Sequence, residues 1–390
     1  MGRKVVLYID AMIMPDKNAA AQRATAICKS LIDIGKKPVI VGLKKDINHN
    51  ISVLETLENY SGIDCYAVKY PVSIKEWLDR MITIKPFIDV VHRYGKENIH
   101  SIIAMDYEVI ALYRLRKYCD RNNIRLIADS VEWYGKSKLK FPINIVKDLD
   151  TAFRMKYVYP KLDYMICISH YLYQYYLDKI PNIVEIPGTV DECDLKWSKI
   201  KKYTGNDILT IGYAGHPGFN CEKERLDWLI KAICELNQEG IACKLLIAGF
   251  DKSIIEDYLP DLKKHRFYSS SIKYYGKLSH LDCLNMIATC DFSAIIREDK
   301  RVTRAGFPTK LSESFGCKTP VITTPSSNIS DFIEAGRNGL ITKDFSYDSL
   351  KQVLFQAYNI SLGEKLEMHK KLVNPLVYRI FNKKLANLLA

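Results

Sequence analysis

Short apolar runs of strand length alternate along the chain with longer stretches in which apolar residues recur at helical spacing. The first run, at 4–10, predicts a buried strand, and a helix is predicted over 19–33, with Gly35 ending it before a strand at 38–43. The later elements of this series are predicted as a strand at 102–105, a helix at 108–122, and strands at 125–129 and 164–169. This order is typical of a parallel sheet with helices on both faces.

A second series of the same kind follows the Pro187-Gly188 break and a polar stretch that ends near Asp207. Its predicted strands lie at 209–214, 243–248, 272–275, 292–296 and 320–324, and its predicted helices lie at 225–239 and 280–289. A chain of 390 residues also exceeds a single typical core. We therefore predict two doubly wound α/β domains, at 1–186 and 208–365, joined by a linker at 187–207. The remaining residues, 366–390, are predicted as a C-terminal helical segment that returns to the first domain.

The composition narrows the class of protein. Lys and Arg outnumber Asp and Glu by 57 to 45, and the net charge of +12 suits nucleic acid, anionic lipid or a phosphorylated substrate. We expect no nucleic acid partner, because the chain carries no zinc-finger, homeodomain or RNP signature; a biased genome composition is the alternative explanation of the charge. The 11 cysteines form no CxxC pair, and no apolar run could span a bilayer. We therefore expect reduced thiols and a cytoplasmic protein.

Candidate chemistry is expected in the loops that follow the strands, because ligands of such sheets bind outside the carboxyl ends of the strands. No G-x-G-x-x-G follows either first strand, so a dinucleotide fingerprint is absent. In the second domain, Gly215-His216-Pro217-Gly218 lies between a strand and a helix, where glycines let a backbone approach an anion closely. By itself this is a weak signal.

A basic segment at 297–313 strengthens that signal. Arg297, Arg304 and Lys310 lie in it, Thr309 is predicted as a helix N-cap, and Glu313 lies one turn further on. Cations at a helix N-terminus hold a diphosphate, and a carboxylate one turn on can accept both hydroxyls of a ribose. The alternatives are a solvated charged loop and a surface Lys–Glu pair at i,i+3 spacing.

A series of short motifs follows a fixed order over nearly the whole chain. In the second half they are "YAG" at 213–215, Lys223, "LIKA" at 229–232, "LIAG" at 246–249, "YGK" at 275–277, "PTKLSESFGCKTPVI" at 308–322 and "GRNGLI" at 336–341. In the first half they are "AAAQR" at 19–23, "DSVEWYG" at 129–135, "ICIS" at 166–169 and "IPGTVD" at 186–191. Taken in this order, the motifs resemble those of glycosyltransferase family four.

The resemblance implies a GT-B fold, in which two Rossmann-like domains face a cleft with the acceptor on the first and a nucleotide sugar on the second. It also implies a retaining, hexosyltransferase-type enzyme that needs no cofactor and no metal, so that the D-x-D at Asp148 and Asp150 is a chance match. By the family pattern Glu313 holds the ribose. The other expected donor-binding residues are Gly215, His216, Lys223, Tyr275, Arg297, Arg304, Thr309 and Lys310, of which Lys310 is also expected to be catalytic.

The chain departs from the family pattern at three places. Ala305 stands where a glutamate often contacts the donor sugar, His216 stands in place of the usual arginine, and the familiar histidine of the first domain has no match. On the acceptor side Asp129 and Glu132 are therefore expected to bind the acceptor and to act in catalysis, with Arg23 as a further acceptor-binding residue. The alternative for Asp129 is that it caps a turn.

The predicted function is transfer of a sugar from a nucleotide sugar to a saccharide acceptor, which we expect to be lipid-linked, in bacterial cell-surface polysaccharide synthesis. A nucleotide-sugar epimerase of the same fold and a non-catalytic glycosyltransferase-like partner subunit remain open as alternatives. Residues 135–161 carry seven basic and two acidic side chains interleaved with aromatic ones. This pattern predicts a peripheral enzyme at an anionic membrane surface, the inner face of the cell membrane; a solvated face whose aromatic side chains belong to the core is the alternative.

Overall fold

The computed structural model describes residues 4–14, 18–48 and 51–390, with Ala11 described by its backbone alone. The chain divides into two compact units. Unit 1 runs to Asp191 and also contains Tyr378–Ala390, and unit 2 is Glu192–Val377. The predicted linker at 187–207 is therefore divided between the two units, and residues 366–377 of the predicted C-terminal segment lie in unit 2.

Unit 1 is built on an eight-stranded sheet in the order β3-β4-β2-β1-β5-β6-β7-β8. Its strands are β1 (Val5–Ile13), β2 (Lys37–Lys44), β3 (Glu58–Tyr60), β4 (Ile63–Lys69), β5 (Ile99–Met105), β6 (Arg125–Ser130), β7 (Tyr164–Cys167) and β8 (Asn182–Glu185). Every pairing is parallel except that of β3 with β4. The central strands are fully buried on both faces, which is why they appear in the sequence as continuous apolar runs.

Six helices connect these strands. They are α1 (Ala19–Asp33), α2 (Ile74–Ile82), α3 (Lys85–Tyr94), α4 (Val109–Arg121), α5 (Ile143–Phe153) and α6 (His170–Tyr176). Asn18 caps α1 through its side chain, Ser73 forms a capping box with Glu76 at the start of α2, and Ser169 caps α6. Helix α5 continues into one π-helical turn at Arg154–Val158.

Unit 2 is built on a six-stranded, fully parallel sheet in the order β11-β10-β9-β12-β13-β14. Its strands are β9 (Leu209–Ala214), β10 (Cys243–Ala248), β11 (Ile272–Tyr274), β12 (Phe292–Ile295), β13 (Val321–Thr323) and β14 (Gly339–Ile341). Its helices are α7 (Leu226–Gln238), α8 (Ser253–Glu256), α9 (Pro260–Lys263), α10 (Tyr268–Ser271), α11 (His280–Ala288), α12 (Arg301–Ala305), α13 (Thr309–Gly316), α14 (Tyr347–Asn359) and α15 (Leu362–Lys371).

The end of the chain returns to unit 1 as a 3₁₀ turn, Tyr378–Phe381, followed by α16 (Asn382–Leu389). Phe381 and Leu385 are buried in the unit 1 core, and Arg125 donates to the carbonyl oxygen of Leu389. These contacts hold α16 on the unit 1 sheet.

The parallel strands bring the loops of each unit to one edge of its sheet. In unit 1 this edge carries the carboxylates of Asp10, Asp106 and Asp129: Asp10 and Asp129 pair with Met105, the last residue of β5, and Asp106 follows it. In unit 2 it carries Gly215 and Arg297, which follow β9 and β12 closely. Both edges therefore carry residue types that could bind a ligand.

Candidate functional site

Two glycines bring the backbone of unit 2 against the side chain of Lys310. Gly215 has a φ of 113° and donates its N–H to the carbonyl oxygen of Ala248 at 2.9 Å. A Cβ atom at Gly215 would lie 2.8 Å from Cε of Lys310, and a Cβ atom at Gly249, whose φ is 116°, would lie 2.8 Å from the Gly215 nitrogen. The positive φ angles and close contacts both favour glycine here, so the lysine lies directly over exposed backbone.

Lys310 itself lies in the first turn of α13 and forms an ion pair with Glu224. Its Nζ is 2.5 Å from Oε2 of Glu224 and 4.0 Å from the centroid of the Tyr213 ring. Burial lowers the pKa of Lys310, Glu224 opposes that change, and the nearby charges of Lys223 and Arg297 add to it. Glu224, whose side chain is only 2 % exposed, therefore favours the charged form of Lys310 and fixes its position.

The sequence analysis did not identify Glu224. Its partner is 86 residues away, so no local spacing connects the two. A weak signal existed, because Glu224 directly follows Lys223 in the glycine-containing loop between β9 and α7. Backbone N–H groups of both residues donate to the carbonyl oxygen of Pro217 at 3.0 Å, which folds the loop back toward the strand end.

Glu313 lies one turn after Lys310 on α13, as the spacing predicted. Its Oε1 is 3.0 Å from Nε2 of His280, in the first turn of α11. Lys310, Glu313 and His280 line one pocket together with small residues of β9 such as Gly212 and Ala214. The lysine and the glutamate are therefore brought to the same cavity, with a cation and a carboxylate facing it.

The other predicted donor-binding residues in the loops after β9 and β11 are more exposed. His216 is exposed, and its Nδ1 accepts the N–H of Gly218 within its own loop at 3.0 Å. Lys223 is exposed next to Glu224, close enough to affect the pKa of Lys310. Tyr275 is 38 % exposed, with the ammonium group of Lys273 4.8 Å from its ring centroid.

The two predicted donor-binding arginines after β12 differ in their surroundings. Arg297 is buried, its backbone N–H donates to Thr324 at 2.8 Å, and its charge influences Lys310. Arg304 instead forms a two-point ion pair with Asp299, at 2.8 and 2.9 Å, on an exposed surface. The prediction of Thr309 as an N-cap is wrong, because Pro308 holds that position and Thr309 is the first residue of α13.

In unit 1, Arg23 and Asp129 form a buried ion pair rather than an open pair of ligand-binding groups. The guanidinium of Arg23 bonds both carboxylate oxygens of Asp129, at 2.7 and 2.9 Å, and donates to the carbonyl oxygens of Ile186 and Pro187. The hydroxyl of Tyr8 donates to the same carboxylate. Asp129 is 0 % exposed and Arg23 is 2 % exposed. This geometry gives Asp129 and Arg23 a structural role, as a buried ion pair and not as the cap of a turn.

Glu132 lies instead beside Asp106, a carboxylate that the sequence analysis missed. Burial raises the pKa of Asp106 to about 7; Arg154 opposes the rise, and the Glu132 and Asp129 carboxylates add to it. Arg154 donates to the backbone oxygen of Asp106, and Oδ1 of Asp106 lies 3.4 Å from the hydroxyl of Tyr159. The signal was present, because "IIAMD" places a carboxylate at the end of a buried strand.

The aspartates of the D-x-D match serve the local backbone. Oδ1 of Asp148 accepts the N–H of Ser137 at 2.6 Å, and Oδ1 of the buried Asp150 accepts the N–H of Val109 at 2.8 Å, at the start of α4. These contacts give both carboxylates a role in holding α5 and its neighbours together. Within 4–14, 18–48 and 51–390, no group of three or more His, Cys, Asp or Glu side chains has a geometry that could hold a metal ion.

Comparison with protein families decides the class of enzyme. Residues 207–359 match the model of glycosyl transferases group 1, and that range contains Gly215, Glu224, Lys310 and Glu313. The chain is a glycosyltransferase. The predicted enzyme class and the resemblance to a glycosyltransferase family are therefore confirmed, and the match lies within unit 2, which contains the Lys310 pocket.

Solved structures confirm the GT-B fold of this glycosyltransferase. Sucrose-phosphate synthase from Thermosynechococcus elongatus has a TM-score of 0.68 at 13% identity, covering 99% of this chain and 98% of that one. The catalytic domain of starch synthase IV from Arabidopsis thaliana, bound to ADP and acarbose, has a TM-score of 0.68 at 9% identity, covering 100% and 99%. Anabaena HepE in complex with UDP and glucose has a TM-score of 0.61 at 13% identity, covering 99% of each chain. No curated protein sequence matches the chain significantly.

Proposed function

We propose that this glycosyltransferase moves a hexosyl group, with retention of anomeric configuration, from a nucleotide sugar held by unit 2 to a saccharide or lipid-linked acceptor held by unit 1. The proposed setting is bacterial cell-surface polysaccharide synthesis by a cytoplasmic enzyme peripheral to the cell membrane. The observation that carries the donor half is the Glu224–Lys310 pair over the Gly215 backbone, with Glu313 in the same pocket. The UDP and ADP in the Anabaena and Arabidopsis structures support a nucleotide sugar as the donor.

The leaving diphosphate is the group that Lys310 suits. Breaking the bond between sugar and diphosphate builds negative charge on the leaving oxygen, and a fixed cation in a partly buried site stabilises that charge. An ammonium has three N–H donors, so Lys310 can bond Glu224 with one and a phosphate oxygen with another. Glu224 acts here as a positioning residue, because it keeps Lys310 protonated and fixed at 2.5 Å against the effect of burial.

The ribose is the group that Glu313 suits. A carboxylate can accept hydrogen bonds from two neighbouring hydroxyls, and His280 already holds one of its oxygens at 3.0 Å. The cations around the leaving group are Lys310, Lys223 and Arg297. We therefore propose that transfer needs no divalent metal.

On the acceptor side we propose that Asp106 and Glu132 hold the attacking hydroxyl. Asp106 is partly buried and titrates near neutrality, at a pKa of about 7, so it can accept a hydrogen bond or a proton at working pH. Asp129 is assigned instead to holding Arg23 and the end of β6. A positioned hydroxyl is what a retaining transfer needs when no protein nucleophile takes part.

One incubation series tests this function against an epimerase and a non-catalytic subunit. The protein is given UDP-, GDP- and dTDP-sugars, with and without a lipid-linked saccharide, and nucleotide release and product sugars are measured, each with and without EDTA. We expect release of nucleoside diphosphate that depends on acceptor and survives EDTA. Conversion of the donor sugar without transfer would identify an epimerase, and nucleotide binding without turnover a non-catalytic subunit. Loss of activity in EDTA, restored by Mg²⁺ or Mn²⁺, would contradict the metal-independent proposal.

A further inference from the structure

Helix α5, the turn before it and its π-helical extension expose an apolar row on unit 1. The row repeats every fourth residue and consists of Phe141, Ile145, Leu149, Phe153 and Tyr157, which are 78 %, 47 %, 52 %, 50 % and 58 % exposed. Residues at this spacing lie on one face of a helix. The opposite face carries the buried Asp150, Arg154 and Met155. The row therefore faces solvent, while Asp150, Arg154 and Met155 pack against unit 1.

Two neighbouring helices extend this exposed apolar surface. Helix α4 contacts both α2 and α5, and the guanidinium of Arg114 on α4 donates to the carbonyl oxygen of Ile82 at the end of α2. Their exposed apolar residues are Ile74, Leu78 and Ile82 on α2 and Ile110 and Tyr113 on α4. We call these five residues and the α5 row the apolar face. Exposed apolar surface that extends over several elements marks an interaction site.

Lysines border the apolar face with little negative charge among them. The exposed lysines between 136 and 161 are Lys136, Lys138, Lys140, Lys147, Lys156 and Lys161. Of the two aspartates in this range, Asp148 is half-buried and bonds Ser137, and Asp150 is buried. The surface around the α5 row is therefore strongly positive.

We propose that the apolar face docks unit 1 on an anionic lipid bilayer. Lysine stems and aromatic rings suit the boundary between headgroups and acyl chains, and a basic border is attracted to anionic lipid. A second copy of the same face would bring two sets of six lysines together, so charge disfavours a dimer as the occupant. Among the described residues no helix is long and apolar enough to cross a membrane, so contact would be at the surface.

The same segment connects the apolar face to the candidate acceptor residues. Arg154 lies within it, on the buried side, and donates to the backbone oxygen of Asp106; Tyr159, directly after the π-helical turn, approaches the Asp106 carboxylate at 3.4 Å. Docking would thus hold Asp106 near the headgroup layer, where the sugar of a lipid-linked acceptor lies. This consequence rests on the proposed function, whereas the docking itself does not.

Vesicle flotation tests the docking without any donor or acceptor. The full chain is floated with vesicles of phosphatidylglycerol and phosphatidylcholine, or of phosphatidylcholine alone, at low and high salt. We expect flotation with the anionic vesicles, weakened by salt, and about a hundredfold weaker partition for the triple variant Lys136→Glu, Lys138→Glu, Lys140→Glu. The matched control changes Lys199, Lys201 and Lys202 of unit 2, which are also exposed and closely spaced, to Glu and should float normally.

A second variant tests the apolar row separately from the charge. Changing Leu149 and Phe153 to Ser should abolish the salt-resistant part of flotation, whereas changing the exposed Phe355 and Val373 of unit 2 to Ser should not. Circular dichroism and nucleotide release without vesicles control for folding.

Flotation of the Lys136, Lys138, Lys140 variant equal to that of the unaltered chain would overturn the proposal. So would a self-associated chain that Phe153→Ser converts to monomer, because the face would then join two copies. If the chain floats with anionic vesicles but transfers sugar from none of the donors tested, only the proposed function is refuted.

Discussion

Replacing Lys310 by methionine tests whether its ion pair and its proposed catalytic role can be separated. Methionine keeps most of the side-chain length but leaves the carboxylate of Glu224, which is only 2 % exposed, without its cation. The double variant Lys310→Met, Glu224→Gln removes both charges. Because the single variant leaves a buried carboxylate without its cation, we expect the double variant to be the more stable of the two. Because both variants lack the cation at the leaving group, the proposed function requires that both be inactive.

The structure sets the size of the effect. At 2.5 Å and an effective dielectric constant near 20, the two charges attract each other by about 7 kcal/mol before the cost of burying them. Removing one partner of a buried pair usually costs about 3–5 kcal/mol. Lys310 is 21 % exposed, so water reaches the vacated position and we expect the lower end, about 3 kcal/mol. The double variant should recover most of this loss.

The stability of unit 2 must be measured separately, because a chain of two units need not unfold in one step. Hydrogen exchange on peptides from β9 and α7 reports the stability of unit 2 alone. A loss of about 3 kcal/mol corresponds to roughly a hundredfold faster exchange under conditions where reclosing is fast compared with chemical exchange. Transfer should fall about a hundredfold or more in both variants, because the cation at the leaving group is lost. Lys244→Met, which removes an exposed cation of β10 that has no part in the proposed site, controls for general charge effects.

Two results would refute this reasoning. Equal exchange rates for the single and double variants would mean that Glu224 and Lys310 are not coupled energetically. Restored transfer in the double variant would mean that Lys310 serves only to neutralise Glu224 and does not touch the leaving group.

Three further predictions concern carboxylates. Glu313→Gln should weaken nucleotide binding, measured by calorimetry, by about tenfold or more, because a charged acceptor of hydrogen bonds is lost. Transfer should increase as pH rises through about 7, and this dependence should vanish in Asp106→Asn. Because the fold raises the pKa of Asp106 from its ordinary value near 4 to about 7, protonated Asp106 favours the folded state, and this stability should be lost as pH rises from about 4 to about 7. Asp129→Asn should destabilise unit 1 by about 3 kcal/mol in thermal unfolding, because Arg23 loses a buried partner, whereas the matched Glu132→Gln should unfold normally.

A different result would contradict each of the three predictions. Unchanged nucleotide affinity in Glu313→Gln would remove the ribose role. A pH dependence that persists in Asp106→Asn would belong to another group. Normal stability of Asp129→Asn combined with lost transfer would return Asp129 to the acceptor site, as the sequence first indicated.

The elements predicted best are those whose pattern is long and bounded by turn residues. The helix predicted over 19–33 and the strands predicted at 209–214 and 243–248 have the observed bounds of α1, β9 and β10. The sequence analysis did not predict α8, α9 and α10, which have four residues each and are too short for a helical period to register. Within the helical segment predicted at 366–390, the part that returns to unit 1 begins with a 3₁₀ turn at Tyr378–Phe381, since local pattern does not distinguish 3₁₀ from α-helical geometry.

For the donor pocket, the sequence alone placed Lys310 and Glu313 one helical turn apart after a shaped loop, because that arrangement depends only on neighbouring residues. It also determined the parallel α/β class, since burial on both faces of a sheet requires continuous apolar runs.

Only the tertiary structure decided what the charged residues face. It paired Lys310 with Glu224 and Asp129 with Arg23, partners 86 and 106 residues apart, and it placed Asp106 among Glu132, Arg154 and Tyr159. The burial and pKa of an ionisable group depend on neighbours in space, which folding brings from distant parts of the chain. The sequence therefore identified groups that could do the chemistry, and the fold determined which of them are enclosed in ion pairs and which face a pocket.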